Sequence, residues 1–280
     1  MKVLVLGATG YVGGVLVEEL QKRGHEVAAV VRPSGDGGKR LPAVRDERHG
    51  DLSGEIEVTA DIDAIVHTAQ LTGDESVDAK VIGGLVASGK RVVYVSGVWV
   101  LGRTDGGDEA SPVNPVPIVG YRPNIERLVT DGGGIVIRPG VVHGRGGGIP
   151  NLYLGIATEQ GTGIYVGEGA EVAPYVHVED LAELIVTAVE KGEPGAVYHG
   201  VAEEGVTRRA VAEAAAENAG VEAGARAWPV EQAGAAVGAP FAEALALHQR
   251  VSSARTREAL GWAPTRPGIL SELREGSYTR

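Results

Sequence analysis

The residues richest in chemical content stand at the start of the chain. Gly7-Ala8-Thr9-Gly10-Tyr11-Val12-Gly13 joins an apolar run to a segment of helical periodicity. Glycines at that spacing let a chain turn sharply and bring backbone amides against a pyrophosphate with no side chain between them. The unpaired N–H groups and partial positive charge of a helix N-terminus favour the same anion. Gly7, Thr9, Gly10, Tyr11 and Val12 are therefore read as a dinucleotide cradle, the plainer alternative being an ordinary strand-to-helix turn. The next informative position follows the second apolar run. A unit that binds NAD places an acid there for the ribose 2′-hydroxyl; this chain reads Val30-Val31-Arg32-Pro33-Ser34. The planar guanidinium of Arg32 suits a 2′-phosphate, with Ser34, Lys39 and Arg40 nearby, so the expected cofactor is NADP (NADPH). The alternative is a solvated surface arginine.

The elements around these residues follow from hydrophobic periodicity. Residues 2–6 form a short unbroken apolar run, as in a strand covered on both faces. Residues 10–23 carry Val12, Leu16, Val17 and Leu20 at helical spacing, and residues 27–31 are a second strand. Strand, helix and strand in so short a stretch make one right-handed βαβ unit. Further buried strands are expected at 64–66, 92–95 and 134–137, with helices at 75–88 and 121–131 between them. This alternation predicts an α/β fold, a doubly wound parallel sheet of the Rossmann type, over residues 1–140. Residues 141–280 are expected to form mainly a small C-terminal substrate lobe, with segments about 176–200 returning to the core. Within that half the rhythm changes: 140–175 is rich in Gly and Pro, with one helix near 150–160. A helix at 178–191, a strand at 196–199 and helices at 207–219 and 239–252 follow, before a tail that ends in prolines.

Composition narrows the chemistry. The chain has 280 residues, and its 26 Lys and Arg against 37 Asp and Glu give a net charge of −11, which disfavours nucleic acid or an anionic membrane as partner. Cysteine is absent, which removes thiolate nucleophiles, disulfides and cysteine-ligated metals. No apolar run is long enough to span a bilayer, so a cytoplasmic location is expected. Glu179-Asp180 opens a helix, where carboxylates are favourable without any ion. No His/carboxylate cluster has metal-ligand spacing, and no metal is expected.

Several further stretches then carry a family likeness: Gly50-Asp51-Leu52, His67-Thr68-Ala69, Val95-Ser96-Gly97-Val98-Trp99-Val100-Leu101-Gly102, Arg138-Pro139-Gly140-Val141-Val142-His143-Gly144, Tyr175-Val176-His177-Val178-Glu179-Asp180-Leu181-Ala182 and Leu260-Gly261-Trp262-Ala263-Pro264. In this order, after GATGYVG, they resemble the extended and atypical branches of the short-chain dehydrogenase/reductase superfamily, nearest to its NAD-dependent epimerase/dehydratase group. The resemblance covers nearly the whole chain. It implies that Asp51 and Leu52 lie at the adenine, Thr68 and Ala69 beside the nicotinamide ribose, and Pro139 and Val142 near the nicotinamide. It also implies a possible homodimer through the helices near 75–88 and 121–131.

The family's Ser, Tyr and Lys engine is incomplete here. Tyr121 lies at a plausible distance from Ser96, but the residue four after it is Ile125. Matching Glu126 to the glutamate that follows the family lysine puts Arg122 at the lysine position and Ile118 at the tyrosine position. Counting back from Gly102 puts Gly97, not Ser96, at the serine position. Three readings follow. Tyr121 is the acid/base, with charge from Arg122 and a hydrogen bond from Ser96 to the substrate carbonyl. Alternatively the proton comes from His143, which titrates in the right range, or from Tyr153 or Tyr175. Or the protein is a non-catalytic NADP-binding sensor. The plainer readings are that Tyr121 simply opens a helix before Pro123, that His143 is a bonded loop residue, that His67 and His177 pack or cap, and that Trp99 is either a pocket wall or a core aromatic. The expected activity is NADP-dependent hydride transfer to or from a carbonyl, imine or polarised alkene of a small molecule, the alternative being a redox-neutral epimerase or dehydratase.

Overall fold

The computed structural model describes residues 1–31, 44–51 and 53–278. Arg32, Ser34, Lys39, Arg40 and Leu52 lie outside the described residues. In chain order the first half contains β1 (Lys2–Leu6), α1 (Tyr11–Lys22), β2 (Glu26–Val31), β3 (Asp46–His49), β4 (Ala64–His67), α2 (Glu75–Ala87), β5 (Arg91–Val95), β6 (Thr104–Gly107), α3 (Arg122–Asp131) and β7 (Ile135–Pro139). The second half contains β8 (Val141–His143), α4 (Ile149–Gln160), β9 (Gly163–Val166), β10 (Val172–His177), α5 (Val178–Lys191), β11 (Val197–Gly200), β12 (Glu203–Thr207), α6 (Arg208–Asn218), β13 (Ala225–Trp228), α7 (Val230–Val237), α8 (Ala239–Leu245), β14 (Gln249–Val251), α9 (Ala254–Leu260) and α10 (Ile269–Glu275).

Seven strands form one parallel sheet in the order β11-β7-β5-β4-β1-β2-β3. Its unbroken apolar strands are explained by burial on both faces. Val3, Val5, Ala29, Val66, Val93 and Ile137 meet α1 and α5 through Leu16, Leu20, Leu184 and Ile185. On the other face Leu4, Leu6, Ile65, Val92, Tyr94 and Val136 meet α2 and α3 through Ile82, Leu85, Ile125 and Val129. Each buried Val, Leu or Ile side chain among them contributes about 1.5–3 kcal/mol of burial free energy. The strand order reverses between β1 and β4, so a crevice opens beyond their C-terminal ends. This is the doubly wound α/β architecture expected from the alternation.

Beyond residue 141 smaller units cover that end of the sheet. β12-β10-β8 form a three-stranded sheet, while β13 pairs with β9 and β14 with β6. Tyr153, Tyr175, Val211, Ala215, Ile269 and Leu273 make one local apolar cluster, and Val166, Ala233, Ala242 and Leu245 another. β11 returns to the edge of the main sheet beside β7.

One local expectation is corrected. Residues 239–252 do not form one helix: α8 stops at Leu245 and residues 249–251 pair as β14 with β6. The Gln249 side chain is buried and its Nε2 donates to Val98 O and Gly102 O, both at 2.8 Å, while Val251 packs with Val98, Val100 and Leu101. The Gly- and Pro-rich stretch 140–175 holds β8, β9 and β10 besides its helix. The tail carries α9 and α10 around its prolines. Among the described residues no helix is long and apolar enough to cross a membrane.

Candidate active site

The crevice begins at the cradle. β1 ends in Gly7, whose φ is 85°, and Gly10 N donates to Gly7 O at 2.9 Å to close the turn. A Cβ on Gly7 would stand 2.7 Å from Ala69 N and 2.9 Å from Thr68 Oγ1, so the turn presses directly on the end of β4. A Cβ on Gly13 would stand 2.0 Å from Gly7 O, which is why the helix can fold down onto the turn only with glycine there. α1 starts without a side-chain cap and without an acidic residue in its first turn. Its leading amides and dipole are thus left for an external anion, and the residues present fit a pyrophosphate. Thr68 N and Oγ1 both donate to Leu6 O at 2.9 Å, locking the two strand ends together. At the far end, Asp51 Oδ1 accepts from Ser53 N at 3.0 Å.

From the cradle a cleft of about 410 Å³ runs over the C-terminal ends of β5 and β7. Tyr11 and Val12 enter it from α1, Pro139 and Val142 from β7 and β8. The Tyr11 hydroxyl donates to Gly144 O at 2.7 Å, and burial pushes its pKa upward. Trp99 and Phe241 supply an aromatic wall, packed edge to face on each other with centroids 6.3 Å apart. Gln70, Ser96 and Arg122 bring polar groups.

The expected catalytic residues are placed unequally. Ser96 lines the cleft, but its hydroxyl donates inward to Glu126 Oε1 in a very short bond. Glu126 in turn accepts from Arg138 Nη2 at 2.6 Å and Nε at 3.1 Å, and all three residues are buried. The Ser96 proton is therefore held by a carboxylate, not offered to a carbonyl.

Tyr121 stands outside the cleft, over a neighbouring hollow of about 110 Å³ that also touches Gly73. Its hydroxyl donates to Asp78 Oδ2 at 2.6 Å and accepts from Gly73 N at 3.1 Å. Burial and the adjoining carboxylate push its pKa up to about 12, the wrong direction for proton exchange near neutrality. Tyr121 is also the N-cap residue of α3, with Pro123 in the first turn.

His143 is buried and does not line the cleft. Its ring packs edge-on to His177 at 5.4 Å and Tyr175 at 6.2 Å. Burial and the neighbouring His177 push its pKa down to about 3, so the imidazole is neutral and screened from solvent. Tyr153 and Tyr175 are likewise buried in the apolar cluster under α6, with raised pKa values caused first by burial. His177 caps α5 by accepting from Glu179 N at 3.2 Å, and His67 packs edge-on to Tyr94.

Arg122 is the exception. It is the first residue of α3, lines both hollows, and its Nε is buried without a partner. Among the described residues no carboxylate lies within ion-pair distance of it. A Cβ on Gly97 would stand 4.0 Å from Arg122 Nη1, so the guanidinium lies beside the bare backbone of Gly97, and both residues line the cleft. Ile118 lines the same cleft one turn before it. Among the described residues no group of three or more His, Asp or Glu side chains could hold a metal ion. Glu179 pairs with Arg145 and Arg266, and Asp180 accepts from Thr265 N and Arg266 N at 3.1 Å.

Sequence reasoning missed Gln70 and Phe241 as cleft residues, and Asp78 as the partner of Tyr121. Asp78 carried a signal: an acid on the apolar face of α2, where it is buried beside Val81, Ile82 and Leu85. Phe241 carried none, because α8 reaches the cleft only through the tertiary fold.

Comparison with known proteins agrees with this architecture. The model of the NAD dependent epimerase/dehydratase family matches residues 3–88. The uncharacterized protein C2A9.02 of Schizosaccharomyces pombe is 29% identical over 303 residues, covering 99% of this chain and 100% of its own. The human epimerase family protein SDR39U1 is 31% identical over 228 residues, covering 74% of this chain and 76% of its own. A crystal structure of human SDR39U1 (isoform 2) with NADPH superposes with a TM-score of 0.73 at 27% identity, covering 99% of each chain. By its sheet order, its glycine cradle and these relatives, the chain belongs to the NAD-dependent epimerase/dehydratase family of the short-chain dehydrogenase/reductase superfamily.

Proposed function

We propose that the protein is an NADP-dependent reductase that delivers hydride to a carbonyl, imine or polarised alkene of a small organic substrate. The observation that carries this reading is the continuity of the cradle with a cleft that holds a cation, Arg122, without a carboxylate partner among the described residues. Gly7, Thr9, Gly10, Tyr11 and Val12 would hold the pyrophosphate, Thr68 and Ala69 the nicotinamide ribose, Pro139 and Val142 the nicotinamide, and Asp51 with Leu52 the adenine. Arg32 would select the 2′-phosphate, which accords with the NADPH in the SDR39U1 structure. When bound, the nicotinamide supplies the hydride.

The chain's own residues orient the acceptor and answer the charge that hydride creates. Arg122 faces the cleft with a permanent positive charge, and Gln70 adds an amide donor beside it. In a site with apolar walls such a charge acts on a developing oxyanion more strongly than it would in water. Ile118 and Arg122 both line the cleft and Tyr121 does not, which favours the register with Arg122 in the lysine position and Ile118 in the tyrosine position. Tyr121 is then a brace between α3 and α2, through Asp78 and the Gly73 turn before it, not the acid. The proton that completes the reduction comes from water.

The commitment of the Ser96 and Tyr121 protons to carboxylates also favours a second reading, a sensor that binds the dinucleotide and performs no chemistry. Following loss of reduced-nicotinamide absorbance across ketones, imines and enones separates the two. The reductase reading expects NADPH consumption with at least one acceptor class, and faster than with NADH. Tight NADPH binding with no consumption by any class supports the sensor.

A further inference from the structure

The geometry points to a planar conjugated dione, a quinone, as the substrate class of this cleft; the assignment rests on the reductase reading above. Hydride addition to an isolated ketone leaves an alkoxide, roughly as basic as the hydroxide of water, whose pKa is about 15.7. Such an ion needs an acid held against it. Among the described residues none is offered: Ser96 donates to Glu126, Tyr11 donates to Gly144 O, Tyr121 donates to Asp78, and His143 does not line the cleft. What the cleft does offer is a charge that cannot be lost, the guanidinium of Arg122.

A quinone matches that set of groups. Hydride arrives with its electron pair at one carbonyl oxygen and becomes its O–H; both C=O π bonds are lost as the ring gains a third C=C and becomes aromatic, and the second oxygen is left with the negative charge. The product anion is a phenolate, whose conjugate acid has a pKa of about 10, close to six decades more acidic than an alcohol. One proton from water completes the hydroquinone, so quinone, NADPH and one proton give hydroquinone and NADP⁺. Arg122 would hold the phenolate oxygen until water protonates it.

The walls agree with a flat ring. Trp99 and the chain's sole phenylalanine, Phe241, stand edge to face at the cleft, and Val98, Val142 and Ile149 add apolar surface. Aromatic side chains favour stacked or edge contacts with planar π systems. A cleft of about 410 Å³ lies toward the small end of ligand pockets, and part of it adjoins the cradle. That leaves room for one or two fused rings and little more.

The test uses the full chain under anaerobic conditions, with NADPH and either menadione or cyclohexanone as acceptor. Menadione is expected to be reduced at least about 100-fold faster, in kcat/KM, than cyclohexanone, given the gap in product acidity. Arg122→Leu should keep NADPH affinity within about threefold and lower kcat/KM for menadione about 10- to 100-fold, the range for a hydrogen bond to a charged group. Arg122→Lys, which restores the charge, should recover part of that loss. NADPH binding with equal turnover of both acceptors, with no menadione turnover, or with menadione turnover untouched in Arg122→Leu would overturn the substrate assignment alone. Failure of the unmodified protein to bind NADPH would overturn the reductase reading as well.

Discussion

Replacing Tyr121 by phenylalanine tests whether this hydroxyl is a brace or an acid. The substitution removes one oxygen and leaves the ring. Lost with it are the 2.6 Å donation to Asp78 Oδ2 and the 3.1 Å acceptance from Gly73 N. A hydrogen bond to a charged group contributes about 1.5–3 kcal/mol. Asp78 keeps its bonds from Thr72 N and Thr72 Oγ1, each 3.0 Å, and Tyr121 is part-exposed. The cost should therefore fall at the lower end, about 1–2 kcal/mol. For a chain of 280 residues that loss corresponds to a fall in Tm of about 2–3 °C. Turnover with NADPH and a competent acceptor should stay within about threefold, where removal of a general acid would cost about two to four decades. Scanning calorimetry and steady-state kinetics on the same preparation read both quantities. A fall of two decades or more in kcat with an unchanged Tm would refute the brace and restore Tyr121 as the acid.

Two further outcomes follow from buried charge. His67 and His143 are held neutral by burial, with pKa values pushed down to about 4 and about 3. The unfolded chain takes up these protons as pH falls through about 6.5 while the folded chain does not, so stability is full above that value and drops below it, by about 1.4 kcal/mol per pH unit per histidine. Urea midpoints measured between neutrality and mild acid should decline steadily; a flat profile would contradict the burial of these rings. Glu126→Gln leaves the buried guanidinium of Arg138 without its counterion, which should cost about 3–5 kcal/mol. Thermal melts should show a drop of about 5–8 °C, and a drop under about 2 °C would mean that the pair carries little of the fold.

Much of the sheet was legible because its signal is local. Residues 2–6, 64–66 and 92–95 are continuous apolar runs, and a strand covered on both faces needs nothing else. β3 was illegible for the converse reason: Asp46-Glu47-Arg48-His49 is an edge strand of polar residues, recruited by pairing with β2 and held by the Arg48–Asp46 ion pair. β14 was hidden because Ala- and Leu-rich residues up to 245 suggest a helix that continues, whereas burial of the Gln249 amide against Val98 O and Gly102 O fixes an extended chain.

The site divides in the same way. The turn proposed as the cradle is written in closely spaced glycines and could be read directly as a tight strand-to-helix turn. The states of Ser96 and Tyr121 depend on Glu126 and Asp78, which the fold brings from 30 and 43 residues away. Type and spacing nominate a serine and a tyrosine as catalysts; only their tertiary partners say where each proton points.

The most direct test of the account is a calorimetric titration of the purified chain with NADPH and with NADH, repeated on Arg32→Ala. The cradle and the arginine after β2 together predict that NADPH binds more tightly than NADH, and that Arg32→Ala erases most of that preference while leaving NADH nearly unaffected. Heat from neither coenzyme, with the protein folded, would contradict the claim that this crevice is built for a dinucleotide.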